Sequence, residues 1–371
     1  MANKIGVFCP TLNVYGGGEY VAIAIANTLA KNNHPVILFT NNKINPQAIK
    51  NYFGETLHPN IETLPQPTPF TPRNIAHFYQ TIIHSYIAKS KCHTLIDAFS
   101  NCVYPWTEVT YIHFPHLNKQ TFNKSFPYLN NPRINQAGTL PQVLLEKKLV
   151  NYKKHLVLAN SHYTANEIQA YSGKSAEVLY PPFSSSLIDL SQDTAKPQKD
   201  NLVVTVSRLD ANKQLERIPQ IAAQTHSSIQ FVIIGRLCSP TTLAFLHALT
   251  KKLGVDKRVH FYPDASVEQK IDLLRKAKIY LHTMTGEHFG ISIVEAMVLG
   301  CLPIVHDSGG VREFVSAQYR YQTSKEAASK ISQVLACWSN NQAEKVRALS
   351  EQFSLSNFSI RFMELYMRYY D

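Results

Sequence analysis

The sequence predicts an α/β protein made of two doubly wound domains, and three observations carry that expectation. Short apolar runs of strand length alternate with amphipathic helical segments along most of the chain. A small, polar stretch, SSSLIDLSQDTAKPQKD at 184–200, interrupts the alternation and divides it into two sets. A chain of 371 residues is also large for one core and fits two domains of ordinary size.

In order along the chain, KIGVFCP predicts a first strand, a Gly-rich turn follows, and EYVAIAIANTLAKNN predicts a helix. HPVILFT, CHTLIDAF, EVTYIHFPH and HLVLANS are further strands of the first set. Thr164-Ala-Asn-Glu167 has the form of a capping box and predicts a helix start there. After the linker, NLVVTVSRL, QFVIIGR, RVHFYP, IYLHTMT and LPIVHD repeat the strand rhythm. From Ser354 to Tyr370 the apolar residues Phe358, Phe362, Leu365, Tyr366 and Tyr369 keep helical spacing. The expected division is therefore 1–183, a linker at 184–200, a second domain at 201–353 and a final helix at 354–371. Two such domains facing each other leave a cleft between the carboxyl ends of their strands, where ligands of doubly wound proteins bind.

Composition narrows the partners. The chain is 44% hydrophobic and 17% charged, a globular balance, with a net charge of +11. Residues 1–185 hold 15 Lys/Arg against 8 Asp/Glu, and the remainder 22 against 18, so the excess sits in the first half. No nucleic-acid-binding motif accompanies it, so no nucleic acid is expected. An anionic membrane face or a pyrophosphate-bearing lipid fits better. No run of eighteen apolar residues exists, and the start lacks the pattern of a signal peptide. The six cysteines, at 9, 92, 102, 238, 301 and 337, have no metal-ligand or redox spacing and suit reduced thiols. These features predict a cytoplasmic protein, peripheral on the membrane face.

The segment TGEHFGISIVEAMVLGCLPIVHD at 285–307 is the richest in chemistry. Glu287 and Glu295 stand eight apart, and His288-Phe289-Gly290 lead into a helix that begins at Ile291 and ends before Gly300. First-turn N–H groups and the helix dipole favour an anion, while carboxylates accept hydrogen bonds from hydroxyls. Phosphate flanked by hydroxyls describes a nucleotide-sugar. Gly16-Gly17-Gly18, between the first strand and first helix, allows close backbone approach to a phosphate. Arg208 ends a strand and Lys213 follows five residues later around a turn, so a fork and a point charge can meet one anion. His113 lies at a strand end in YIHFP, with His116 close behind.

The E-x7-E segment resembles the signature of retaining family-4 glycosyltransferases, which have the GT-B fold. The resemblance implies that Glu287 holds hydroxyls of the transferred sugar and Glu295 the ribose. It also implies that Gly17 and Gly18 face the donor pyrophosphate and the acceptor. Val206 to Lys213 resembles the family's G/S-R-L-x3-K, which assigns Arg208 and Lys213 to the leaving diphosphate. His288, Phe289, Gly290 and Ile291 complete the donor-binding set, and the last helix is expected to cross back to the first domain.

GGGE, YIHFP, NSHYTANEI, VLYPPF and GEHFGISIVEAM together are similar to the lipid-linked-oligosaccharide α-1,2-mannosyltransferases of asparagine-linked glycosylation. That likeness gives His113 a place near the reacting carbon. It implies a GDP-mannose donor, a polyprenyl- or dolichyl-diphosphate-linked glycan acceptor, and neither cofactor nor metal; the chain has no D-x-D clamp. A UDP-sugar transferase of surface polysaccharide synthesis and a non-catalytic GT-B relative are the alternatives. The latter should have lost one of Arg208, Lys213, Glu287 or Glu295, and all four are present. A dinucleotide oxidoreductase should show G-x-G-x-x-G, which GGGEY does not. The aromatic stretch 104–128 is either an acceptor or membrane edge, or a buried cluster.

Overall fold

The computed structural model describes residues 3–66, 75–115, 144–146, 149–184, 187 and 198–370. The chain divides into two compact units. One runs to Pro182 and resumes at Leu355; the other is Phe183–Ser354.

The first unit holds a seven-stranded parallel sheet. Its strands are β1 (Ile5–Phe8), β2 (Val36–Thr40), β3 (Ile61–Pro65), β4 (Thr94–Asp97), β5 (Val109–Ile112), β6 (Leu156–Ala159) and β7 (Glu177–Val178). Their order is β3-β2-β1-β4-β5-β6-β7, which is doubly wound: the chain steps outward from β1 one way, then crosses over to β4 and steps the other way. Strands β1, β2, β4, β5 and β6 are buried at every position, as befits a sheet covered on both faces. β3 is an edge strand, partly or fully exposed at every position, and sequence periodicity does not detect it.

Helix α1 (Gly17–Lys31) is buried from Tyr20 to Ala30 against this sheet. It begins two residues before the expected Glu19, because Glu19, the third helical residue, folds its carboxylate back onto the N-cap amide. Its Oε2 accepts the Gly16 amide at 3.0 Å, and its Oε1 the Thr11 hydroxyl at 2.8 Å. α2 (Pro46–Phe53) and α3 (Ile75–Lys89) follow. α4 (His162–Ser172) corrects a second expectation: the cap is Ser161, whose side chain accepts the Thr164 amide at 3.1 Å. Thr164 is buried inside the first turn, so the box expected at Thr164–Glu167 does not start the helix.

The second unit carries a six-stranded parallel sheet. It comprises β8 (Asp200–Val206), β9 (Gln230–Gly235), β10 (Val259–Pro263), β11 (Ala277–His282), β12 (Leu302–His306) and β13 (Arg320–Tyr321). The order β10-β9-β8-β11-β12-β13 repeats the doubly wound pattern, with the crossover between β8 and β11. Its helices are α5 (Arg217–Ala222), α6 (Pro240–Lys252), α7 (Val267–Lys276), α8 (Ile291–Val298), α9 (Ser324–Ala336) and α10 (Asn340–Ser350). Most of the stretch expected as a linker lies outside the described residues. Its end is anchored: the Lys199 ammonium donates to the carbonyls of Leu274 (3.1 Å), Ala277 (2.8 Å) and Leu299 (2.8 Å). Burial lowers the Lys199 pKa, so these three carbonyls are what keep the buried cation satisfied.

The last helix, α11 (Leu355–Tyr370), belongs to the first unit and lies against α1. Phe358, Phe362, Met363, Leu365 and Tyr366 enter the core cluster that contains α1, and the Thr28 and Ser359 hydroxyls bond at 2.8 Å. The six cysteines are all free thiols. Among the described residues no helix is long and apolar enough to cross a membrane. Tyr104 and Trp106 are stacked at 5.2 Å, and Trp106 donates to Ser85 Oγ at 3.0 Å; Tyr104 is buried within this packing. Phe122, Phe126, Tyr128 and His116 lie outside the described residues.

Candidate nucleotide-sugar site

In each sheet the crossover leaves an opening at the carboxyl ends of the first and fourth strands, where loops of opposite hand part. In the second unit those loops follow β8 and β11, and they hold Arg208, Lys213 and Glu287. The two loops are laced together. Gln214 Oε1 accepts from the Thr285 amide (3.3 Å) and hydroxyl (3.1 Å). The Arg217 guanidinium donates to Thr283 O (3.1 Å) and Thr285 Oγ1 (3.0 Å), and the Thr283 hydroxyl to Lys213 O (3.3 Å).

Glu287 is placed by its own backbone. It bridges Gly309 in the loop after β12, its carbonyl accepting the Gly310 amide at 2.8 Å. Gly309 sits at φ 78°, and a Cβ there would lie 2.2 Å from the Glu287 carbonyl oxygen, so only glycine permits this approach. Ser308 Oγ accepts the Gly286 amide at 2.8 Å and closes the other side.

The Glu287 carboxylate, with 15% of its side chain exposed, has partners on both oxygens. Oε2 lies 3.3 Å from Lys213 Nζ and 3.2 Å from His282 Nε2, while Oε1 accepts the His288 amide at 3.1 Å. Burial is the largest single influence and opposes ionisation. The Lys213 ammonium, the His282 hydrogen bond and charge, and the charge of His288 together overcome it and hold the carboxyl well below its ordinary range. Lys213 Nζ also lies 3.3 Å from Met284 Sδ, a weak acceptor that leaves part of its donor capacity open.

Beyond Glu287 the chain turns through Gly290, which is left-handed at φ 92°, into α8. Gly290 forms no side-chain cap, so the first-turn amides of Ile291 and Ser292 project without intrahelical acceptors. Phe289 is the buried anchor of this turn, its ring 5.2 Å from both Phe314 and Phe353. It therefore packs the loop rather than presenting a ring to a ligand. Tyr280 OH lies 2.7 Å from Ser292 Oγ and 3.0 Å from Val206 O, tying α8 to the end of β8.

Arg208 and Lys213 do not share one partner. Arg208 is exposed and makes no side-chain hydrogen bond or ion pair among the described residues, whereas Lys213 is engaged with Glu287. The backbone at Arg208 is nevertheless tightly set: Ser207 N donates to Ile234 O and Leu209 N to Arg236 O, both at 2.9 Å. A Cβ at Gly235 would fall 1.9 Å from Ser207 O. Glu295, one turn into α8, is paired with Lys270 of α7 at 3.2 Å, with both side chains about a fifth exposed.

In the first unit, the loop after β1 brings Gly18 against His113. A Cβ on Gly18 would lie 3.4 Å from His113 Nε2, within ordinary contact. Gly17 is exposed at the helix start. His113 follows β5, with Nε2 3.1 Å from Ala98 O, its amide on Asn101 Oδ1 (2.6 Å) and its carbonyl accepting from Asn160 Nδ2 (2.8 Å). Asp97, at the end of β4, is fully buried, and its Oδ1 accepts the amides of Phe99 (2.9 Å) and Ser100 (2.8 Å).

His282, Gln214, Arg217 and Lys270 are the site-lining residues that sequence reasoning missed. His282 is one of fifteen histidines and ends an ordinary buried strand. Its only sequence signal is its place five residues before Glu287.

Two doubly wound α/β units of this kind make up the GT-B fold. Residues 188–353 match the family model described as glycosyl transferases group 1. Solved structures agree on the fold. A Rickettsia africae glycosyltransferase aligns over 99% of this chain and 98% of its own with TM-score 0.68 at 16% identity. Anabaena HepE in complex with UDP aligns over 99% of this chain and 100% of its own with TM-score 0.70 at 18% identity.

Among curated relatives, "GDP-Man:Man(3)GlcNAc(2)-PP-Dol alpha-1,2-mannosyltransferase" of Dictyostelium discoideum is 24% identical over 70% of this chain and 58% of its own length. The Mus musculus protein of the same name is 28% identical over 54% of this chain and 46% of its own. The chain thus spans about half the length of the curated relatives it matches.

Proposed function

We propose that this chain is a retaining, metal-independent hexosyltransferase that moves mannose from GDP-mannose to a hydroxyl of a lipid-linked oligosaccharide. The observation that carries the reading is the ionised Glu287 held beside Lys213 at the crossover of the group 1 domain. The names of the curated relatives support the donor and a dolichyl-diphosphate-linked acceptor. The basic first half of the chain suits an anionic membrane surface at which such an acceptor is presented.

In this mechanism the protein positions the reactants and stabilises charge. Glu287 accepts sugar hydroxyls, which fixes the ring. Lys213, with a donor position free, turns toward the diphosphate, and Arg208 extends its guanidinium to the same group. The first-turn amides of α8 take up charge that grows on the leaving phosphate. Glu295 exchanges Lys270 for the ribose hydroxyls. His113 and the amides at Gly17 and Gly18 act near the acceptor and the reacting carbon. The departing phosphate takes the acceptor proton, so no second carboxylate is required as in a two-step glycosidase.

A UDP-sugar donor is the second reading, because HepE, which shares the fold, was solved with UDP and glucose. Thermal unfolding with GDP, UDP, ADP and their sugar conjugates separates the two, since a ligand specific to the folded state raises Tm. GDP and GDP-mannose alone are expected to shift it; a shift with UDP compounds only would discard the mannose, and no shift with any would favour a non-catalytic relative. Glu287→Ala, Arg208→Ala and Lys213→Ala should each lower transfer by about 100-fold or more without unfolding the protein. Near-normal turnover in one of them removes that residue from the mechanism.

A further inference from the structure

We infer that His282 is a positioning residue for the donor: it keeps the Glu287 carboxylate charged and oriented when Lys213 leaves it for the diphosphate. The inference rests on the reading of Glu287 and Lys213 as donor-binding groups and adds a residue that reading does not use.

The hydrogen-bond inventory leads to it. A carboxylate offers about four lone-pair positions. Glu287 uses two on Oε2, for Lys213 and His282, and one on Oε1, for the His288 amide. Two of the three partners are fixed. The amide belongs to the next residue, and His282 is 4% exposed at the end of a buried strand, with its carbonyl accepting the Tyr321 hydroxyl at 3.0 Å. Lys213 is held less firmly, reaching from a turn on a long side chain whose other contact is a thioether.

When the ammonium swings to a phosphate, Glu287 loses its strongest cation while remaining mostly buried. Among the described residues His282 is the one other side chain bonded to Oε2. Its tautomer is set by the site. Among the described residues, Nδ1 is buried with no hydrogen-bond partner, while Nε2 faces a carboxylate, so the single proton of a neutral ring resides on Nε2. The ring thus donates to Oε2 whether neutral or protonated. The other titratable or charged groups around this pair include His288, Tyr280, Tyr321, Arg217 and Glu295. Both phenols are pushed far up by burial, so they stay neutral across the working range.

Removing the imidazole takes away a group that lowers the Glu287 pKa, so the carboxyl becomes easier to protonate. Loss of donor binding on acidification should then begin at a higher pH than in the native protein.

The test compares His282→Ala and His282→Gln with the native protein. Donor KM and kcat are followed over pH 5–8, and the Glu287 carboxyl is titrated by 13C NMR in the donor-free protein. His282→Ala should raise donor KM about tenfold at pH 7 and more at pH 5.5, with a smaller change in kcat. His282→Gln, which still offers an N–H, should recover most of the loss and flatten the acidic rise. A KM increase that is the same at every pH and is not recovered by Gln would reduce His282 to packing and overturn the inference. An unchanged Glu287 titration in His282→Ala would overturn it independently of any donor. Failure of the parent reading looks different: the native protein then binds no nucleotide-sugar, while the NMR comparison still reports on the pair.

Discussion

Asp97 ends the fourth strand of one doubly wound sheet and Glu287 lies five residues past the fourth strand of the other; burial opposes the charge of both, and their neighbours leave them shifted in opposite directions. Asp97 is fully buried and meets neutral donors, the Phe99 and Ser100 amides among them. Burial dominates and raises its pKa to about 6. Glu287 meets the same opposition but has Lys213 and His282 within 3.3 Å, and its pKa falls. Topology supplies an opening in both units, and neighbouring side chains decide what it holds. In the first unit the buried Asp97 carboxyl takes up a proton on mild acidification, below about pH 6. In the second the Glu287 carboxylate stays charged beside the Lys213 ammonium.

The most disruptive way to break this contrast is Gly309→Ala. It requires an L side chain at φ 78° and places a methyl 2.2 Å from the Glu287 carbonyl. A loss of roughly 2 kcal/mol or more is expected, because strain and displacement of the bridge add. Denaturant unfolding measures it, and donor affinity should fall in parallel. Stability within error of the native protein would show that the Glu287 loop has slack.

Asp97→Asn sharpens the comparison through pH. A folded pKa raised above the unfolded value stabilises below the unfolded pKa, near 4, and that contribution is lost as pH rises through about 6. Native stability should therefore drop by roughly 2–3 kcal/mol on this account between pH 4 and pH 7. In Asp97→Asn that component of the pH dependence should vanish, while the side-chain oxygen still accepts both amides. Identical pH–stability curves for the two proteins would refute the assignment.

The smallest expected effect is that of Glu19→Ala. This residue is the one acidic group in the first turn of α1, and both of its oxygens are already committed to Gly16 and Thr11. Its removal should lower stability by about 1 kcal/mol and leave nucleotide affinity unchanged. A large loss of donor binding would make it a ligand group after all.

The fold class was legible because buried parallel strands leave near-continuous apolar runs, as in HPVILFT and QFVIIGR. The edge elements β3, β7 and β13 were not, since a strand flanked on one side needs few apolar residues and two of these are only two residues long. The start at Glu19 was misplaced because the Gly17-Gly18 pair reads as turn although it opens the helix, and that at Thr164 because a capping pattern names the motif without fixing which residue is the cap. In the site, Glu287, Lys213 and Glu295 stood out in local strings. His282 and Lys270 did not, because their partners are brought to them by the β11 turn and the α7–α8 packing, and no spacing encodes that.

The placement of α11 bears on how the protein is made. The second unit is contiguous, so all of its residues have been synthesised once Ser354 is added. The first unit is begun earlier yet finishes later, because Phe358, Phe362, Met363, Leu365 and Tyr366 complete the cluster around α1. Until those residues are made, the α1 residues of that cluster lack the part of their packing that α11 supplies. The half of the protein that leaves the ribosome first is the half that depends longest on protection from aggregation.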